Sequence, residues 1–235
     1  MMKDKVAYIT GGSKGIGFGV AKALLEQGMR VAITSRSEAA ALAAAKELSS
    51  DPARVLGIAS QVADAASEQK AVEAVLDHFG QLDVVLANAG VGHFAPIEEL
   101  SYEQWRETID TNLTGVFNTV KASIDPLKAS KGYLITLASL AGTNFFENAS
   151  AYNASKFGLV GFTQAVMLDL RKYGIKVTTI MPGSVATYFN NHEPNEADAW
   201  KIQPEDIGQI VVDLLRMHPR TLPSKIEVRP SQPGK

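Results

Sequence analysis

The chain has 235 residues, 46% of them hydrophobic, enough to bury the core of one domain of the larger α/β kind. A formal net charge of −2, with 23 basic residues scattered along the sequence, offers no positive stripe for nucleic acid, and the absence of cysteine excludes disulfides and thiolate metal sites. Met1 to Lys5 leads into the short apolar run Val6 to Thr10, too short for a signal peptide, and no later stretch reaches the length of a membrane span, so a soluble, cytoplasmic protein is expected.

In chain order, Val6 to Thr10 reads as a buried strand, Gly17 to Gln27 as a helix, Val31 to Ser35 as a strand and Glu38 to Leu48 as a helix. Val55 to Ala59 is the third strand, Glu68 to Phe79 a helix, and Leu82 to Ala87 the fourth strand. A long helical stretch follows from Tyr102 to Leu127, with a break near Asp110. Tyr133 to Ala138 and Val177 to Met181 are strands on either side of a helix over Ser155 to Tyr173. Ile207 to Met217 makes a last helix and Lys225 to Val228 a final short strand. Gly28 and Gly174 fall just past helix ends, where a left-handed residue is needed. Strands and helices that alternate in this way predict an α/β fold with a doubly wound parallel sheet, three layers deep. One domain is expected over residues 1–229, followed by a flexible tail over residues 230–235.

The first strand runs into Thr10-Gly11-Gly12-Ser13-Lys14-Gly15-Ile16-Gly17 and then directly into an apolar helix. A glycine loop there brings backbone N–H groups and a helix N-terminus against a pyrophosphate, because side chains would hold the phosphates off. Its spacing is not that of an ATP-binding phosphate loop. At the end of the second strand, where a protein selecting NAD places a carboxylate on the ribose 2′-hydroxyl, the sequence has Ser35-Arg36-Ser37. Arg36, with Lys14 from the glycine loop, suits a 2′-phosphate, so the residues favour NADP(H).

Tyr152-Asn153-Ala154-Ser155-Lys156 places a tyrosine and a lysine on one face at the start of a helix. Free tyrosine, with a pKa of about 10, is a poor acid or base at neutral pH unless a neighbouring cation stabilises its anion. Spacing alone does not separate this from a tyrosine packed by its ring beside a solvated lysine. The order of the surrounding motifs does: the glycine loop, Asn88-Ala89-Gly90 after the fourth strand, Asn112, Ser139 after the fifth and Pro182-Gly183 after the sixth. Together they resemble the short-chain dehydrogenase/reductase family, from Val6 to about Thr187.

That resemblance implies a Rossmann-like fold and an oxidoreductase that moves a hydride between NADP(H) and a carbonyl or alcohol. Tyr152 would be the general acid in reduction. Lys156 would hold the nicotinamide ribose hydroxyls and lower the pKa of Tyr152. Ser139 would bond the substrate oxygen, and Asn112 would hold a water linking Lys156 to solvent. For the cofactor, Ile16 would give a backbone N–H to the pyrophosphate, Thr10 would brace the loop and Asn88 would shape the adenosine side. Val185 and Thr187 would meet the nicotinamide amide. Gln61-Val62 stands where the family often has an aspartate before valine, at the adenine. No metal site is expected, and a homo-oligomer, dimer or tetramer, is.

The segments that usually wall the pocket are Leu140 to Ser150, with Phe145 and Phe146, and Ser184 to Trp200, with Tyr188, Phe189, His192 and Trp200. Neither contains lysine or arginine, and the second carries Glu193, Glu196 and Asp198. An uncharged, partly apolar ketone or aldehyde fits such walls better than an anion. Two alternatives stand beside this reading. One is a 3-oxoacyl-carrier-protein reductase, with Lys128, Lys131, Arg171 and Lys172 as docking candidates. The other is a non-catalytic NADP-binding regulatory protein.

Overall fold

The structure is a computed structural model that describes residues 2–232, so Met1 and the last three residues of the expected tail lie outside the described residues. The strands are β1 Val6–Ile9, β2 Arg30–Ser35, β3 Val55–Ala59, β4 Val84–Ala87, β5 Tyr133–Leu137, β6 Lys176–Pro182 and β7 Lys225–Val228. The helices are α1 Gly15–Glu26, α2 Glu38–Leu48, α3 Ala65–Phe79, α4 Tyr102–Ile109, α5 Gly115–Ser130, α6 Ser150–Leu170 and α7 Pro204–Arg216. All strands pair in parallel, in the order β3-β2-β1-β4-β5-β6-β7.

Covered on both faces, the central strands read as continuous apolar runs because each face has its own core. Along β1, Ala7 and Ile9 join Val20, Leu24, Ala44, Ile207 and Val211 from α1, α2 and α7. Val6 and Tyr8 join Val72, Val75, Val120 and Leu159 from α3, α5 and α6 on the other side. This is the doubly wound, Rossmann-like single domain expected. Chain order reverses between β1 and β4, and loops leaving the carboxyl ends of those two strands diverge there, opening the crevice in which such sheets bind ligands.

Local differences from the sequence reading come from caps and turns. Helix α3 starts at Ala65 instead of Glu68 because the Asp64 side chain accepts a hydrogen bond from Ala66 N–H. Helix α6 starts at Ser150 instead of Ser155, which puts Tyr152 in its first turn, and it tightens into a 3-10 turn at Arg171–Tyr173. Gly28 and Gly174 adopt the left-handed conformation, with φ of +80° and +78°. The break near Asp110 is a π turn over Asp110–Thr114 that joins α4 to α5 without leaving the helix.

Glu68, fully buried on α3, accepts hydrogen bonds from Tyr8, Ser60 and Thr119, tying the end of β3 to the sheet and to α5. Asn118 donates to the Val62 carbonyl at 2.9 Å. Gln61 and Val62 are therefore held from below.

Candidate active site

The crevice floor is built from the ends of β1 and β4. The Thr10 hydroxyl accepts from Asn88 N–H at 3.0 Å and Ala89 N–H at 3.1 Å. Asn88 in turn donates its side-chain amide to the carbonyls of Thr10 at 2.8 Å and Gly11 at 3.0 Å. Its side chain braces the glycine loop from behind. Gly17 is needed for close packing, since a Cβ there would lie 2.7 Å from both the Asn88 amide nitrogen and the Gly11 carbonyl oxygen. Gly15, by contrast, needs its backbone freedom, with φ of +58°.

Side chains cap α2, α3 and α4, but α1 follows Lys14 with no side-chain cap and no acidic residue in its first turn. Its first N–H groups, including that of Ile16, face the crevice mouth with the glycine cradle around them. These residues fit a pyrophosphate. Ser13 lies in the turn between Gly12 and Lys14. The Arg36 side chain, just past Ser35, is 69% exposed and sits 3.6 Å from the Glu107 carboxylate. Lys14 lies over the Tyr188 ring, 5.5 Å from its centroid. A cleft of about 300 Å³ opens beside Gln61 and is lined by Tyr102, Glu107, Asp110 and Thr111.

Across the crevice, Tyr152, Lys156, Ser139 and Asn112 come from α6, the end of β5 and the π turn. The buried Lys156 ammonium donates to the Leu137 carbonyl at 3.0 Å and retains two further donors. It lies 5.6 Å from the centroid of the Tyr152 ring. Burial pulls the lysine pKa down to about 8. Burial also raises that of Tyr152 to about 12, opposed only by the hydrogen bond with Ser139. The lowering expected from Lys156 is not seen here: the ammonium stands off the phenol and is engaged by a neutral carbonyl. Tyr152 is fully protonated at neutral pH in this state.

The Ser139 hydroxyl accepts from Ala141 N–H at 3.1 Å. Asn112 is fully buried, and both its donors are used: its nitrogen donates to the Val91 carbonyl at 2.8 Å and to Ser155 at 3.0 Å, while its oxygen accepts from Val91 N–H at 2.8 Å. Ser155 donates to the Tyr152 carbonyl at 2.8 Å. The π turn, where one inserted residue breaks the usual pairing, also offers backbone carbonyls to a water at Asn112. Gly90 lies over this group, with the Asn112 oxygen 3.2 Å and the Lys156 nitrogen 3.8 Å from where its Cβ would stand.

The segment after β6 closes the crevice. Gly183, after Pro182, donates to the Val228 carbonyl at 2.8 Å, and Val185 bridges to Ile202. The Thr187 side chain stands 3.4 Å from a Cβ placed on Gly15, so this segment reaches the glycine loop. Its far end is anchored by Asp198, which takes His192 at 2.5 Å and Lys201 at 2.6 Å and whose carboxyl is held well below the usual range by both.

Sequence reasoning missed Glu107, which takes His93 at 2.8 Å as well as Arg36. One more acidic residue on an exposed helix carries no signal by itself. Phe94 was also missed; its ring lies 5.4 Å from that of Tyr152.

The fold and this arrangement define a nicotinamide-dependent oxidoreductase. The family described as short chain dehydrogenase matches residues 5–198, and the chain belongs to it. A curated relative, D-threitol dehydrogenase of Mycolicibacterium smegmatis, is 39% identical over 187 residues, 79% of this chain and 72% of that one. An uncharacterized oxidoreductase of Staphylococcus epidermidis is 32% identical over 97% of this chain and 98% of its own length. Among solved structures, an alcohol dehydrogenase from Thermococcus sibiricus complexed with 5-hydroxy-NADP superposes with a TM-score of 0.92 at 30% identity, covering 99% of this chain and all of that one, 100%. A 3-ketoacyl-(acyl-carrier-protein) reductase from Brucella melitensis complexed with NADH gives 0.90 at 26% identity over 98% of this chain and 99% of that one. Among the described residues no helix is long and apolar enough to cross a membrane.

Proposed function

We propose that the chain is an NADP(H)-dependent carbonyl reductase in which Tyr152 gives its proton to a ketone or aldehyde oxygen. The observation that carries this reading is the convergence of a protonated Tyr152, the buried Lys156 ammonium and Ser139 beside a pyrophosphate cradle. When bound, a nicotinamide coenzyme supplies the hydride. Ser139 and Tyr152 would hold the substrate oxygen from two sides, favouring the negative charge that grows on it. Lys156 would turn its two further donors to the ribose hydroxyls, fixing the coenzyme relative to Tyr152. Asn112, through the π-turn backbone, would position the water that reprotonates the site. Arg36 and Lys14 would take the 2′-phosphate, while Ile16, Val185 and Thr187 would line the rest of the dinucleotide track with Gln61, Val62, Ala89 and Gly90.

The assay is NADPH and NADH oxidation with a panel of ketones, aldehydes and acetoacetyl thioesters. NADPH should be preferred by a large factor, and Tyr152→Phe should lower kcat by about 10²- to 10⁴-fold while the protein still binds NADPH. Tight NADPH binding with no turnover on any member would leave the regulatory reading standing instead. The likeness to the carrier-protein reductase keeps acetoacetyl thioesters in the panel. We further place the protein in the cytoplasm as one domain over residues 1–229. A homo-oligomer is supported by half-exposed Phe117 on α5, beside Leu113 of the π turn and Gly158 and Phe162 of α6.

A further inference from the structure

Three separate connections deliver aromatic rings to one spot above the Tyr152 ring. Phe94, from the loop after β4, lies 5.4 Å from it, and Phe189, from the segment after β6, lies 5.6 Å from it. Phe94 and Phe189 meet edge to face at 6.2 Å, and Phe146, from the turn after β5, stacks on Phe94 at the same 6.2 Å. The approach is built into the backbone, since a Cβ on Gly92 would stand 2.5 Å from the Phe189 ring and 2.8 Å from that of Phe94.

These rings are not core. Phe94, Phe189 and Phe146 remain 36%, 37% and 49% exposed, whereas core side chains such as Leu134 and Ile135 are fully buried. They present a wall of ring faces and edges to whatever reaches Tyr152. Several charged and amide side chains of the same segments are engaged elsewhere: His93 with Glu107, His192 and Lys201 with Asp198, Asn144 with the Leu140 carbonyl, Asn153 with the carbonyls of Ala141 and Asn144.

With Phe94 and Phe189 within 5.6 Å of the Tyr152 ring, a carbonyl held by Tyr152 and Ser139 would have these rings beside its substituents. Resting on the carbonyl-reductase reading, we infer that Phe94, Phe146 and Phe189 form an aromatic box that selects carbonyl compounds with an aryl substituent and turns away polyhydroxylated ones. Another flat ring completes the edge-to-face and offset contacts the box already makes. A hydroxylated chain of similar size would exchange water for ring faces that return no hydrogen bond. D-threitol dehydrogenase, to which this chain is similar, is named for a polyhydroxylated compound, so the box predicts a different preference here.

The test compares acetophenone with erythrulose as oxidants of NADPH, in wild type and in Phe94→Ala, Phe189→Ala and Phe94→Leu. Wild-type kcat/KM should favour acetophenone by about tenfold or more. Each alanine variant should cut that ratio about fivefold or more, mainly through KM for acetophenone, and Phe94→Leu should fall between, all with unchanged NADPH affinity as the sign of a sound fold. A wild-type ratio of one or below, or alanine variants that keep the wild-type ratio, overturns the box. Failure of the underlying reading looks different, as NADPH binding without reduction of either ketone. Calorimetric titration of the NADP⁺-loaded protein with 1-phenylethanol and threitol then decides, and tighter binding of threitol refutes the box on its own.

Discussion

Replacing Lys156 by methionine should make the protein more stable at neutral pH and inactive. The ammonium of Lys156 is buried with one neutral hydrogen-bond partner, the Leu137 carbonyl at 3.0 Å, and no carboxylate, so the loss of its water is only partly offset. Its pKa falls from 10.5 to about 8. Keeping the charge in place therefore costs the folded state about 3 kcal/mol at pH 7. Methionine fills a similar unbranched volume without charge, but leaves the Leu137 carbonyl unpaired, which costs about 1 kcal/mol. The net gain of about 2 kcal/mol corresponds to a rise in Tm of about 4–8 °C for a chain of this size. The pH dependence fixes the cause. The folded pKa lies below the unfolded one, so the penalty is complete below pH 8 and disappears by pH 10.5, as the wild-type lysine releases its proton on both sides of the transition. Differential scanning calorimetry of both proteins from pH 6 to about 10.5 should show the advantage of the variant shrinking through that window. A variant no more stable than wild type at pH 7, or an advantage that does not change with pH, would show that the buried charge is not what the fold opposes.

Arg36→Asp should raise KM for NADPH by about tenfold or more and leave that for NADH little changed; steady-state kinetics with both coenzymes decide, and equal effects on the two would sink the 2′-phosphate role. Glu107→Gln should do the reverse. It frees Arg36 from a carboxylate 3.6 Å away, but both side chains are largely exposed, so NADPH affinity should rise only about twofold to fivefold at low salt and less at high salt, read by fluorescence titration. Gly17→Ala should be severe, because the added methyl lands 2.7 Å from the Asn88 amide and the Gly11 carbonyl; loss of coenzyme binding and a lowered Tm are expected, and a variant with wild-type NADPH affinity would contradict the cradle geometry.

The strands were legible because a parallel sheet covered on both faces favours nearly continuous apolar runs, and Tyr133 to Leu137 is buried at every position. Boundaries were harder. The start of α3 depends on whether Asp64 turns its carboxylate back to Ala66, which apolar periodicity does not register. The π turn at Asp110–Thr114 is a single inserted residue, and its support comes from Val91 and Ser155, far away in sequence. Spacing placed Tyr152 and Lys156 on one face, but the pKa of each follows from burial, and much of what covers Tyr152 comes from Phe94 and Phe189. The sign of an interaction between neighbours can be guessed from spacing; the solvent excluded by distant segments cannot.

The Thr10 hydroxyl receives N–H groups from Asn88 and Ala89 and so rivets the ends of β1 and β4 together through one oxygen. The segment after β6 hangs from different supports, Ile202 and Asp198. Coenzyme floor and substrate roof are thus fastened at different points and meet where Thr187 and Tyr188 reach the glycine loop. Substitution farther along the roof, at Phe189, can reshape what faces Tyr152 while the Thr10 rivet stays as it was, a division of labour that makes the scaffold easy to re-specify.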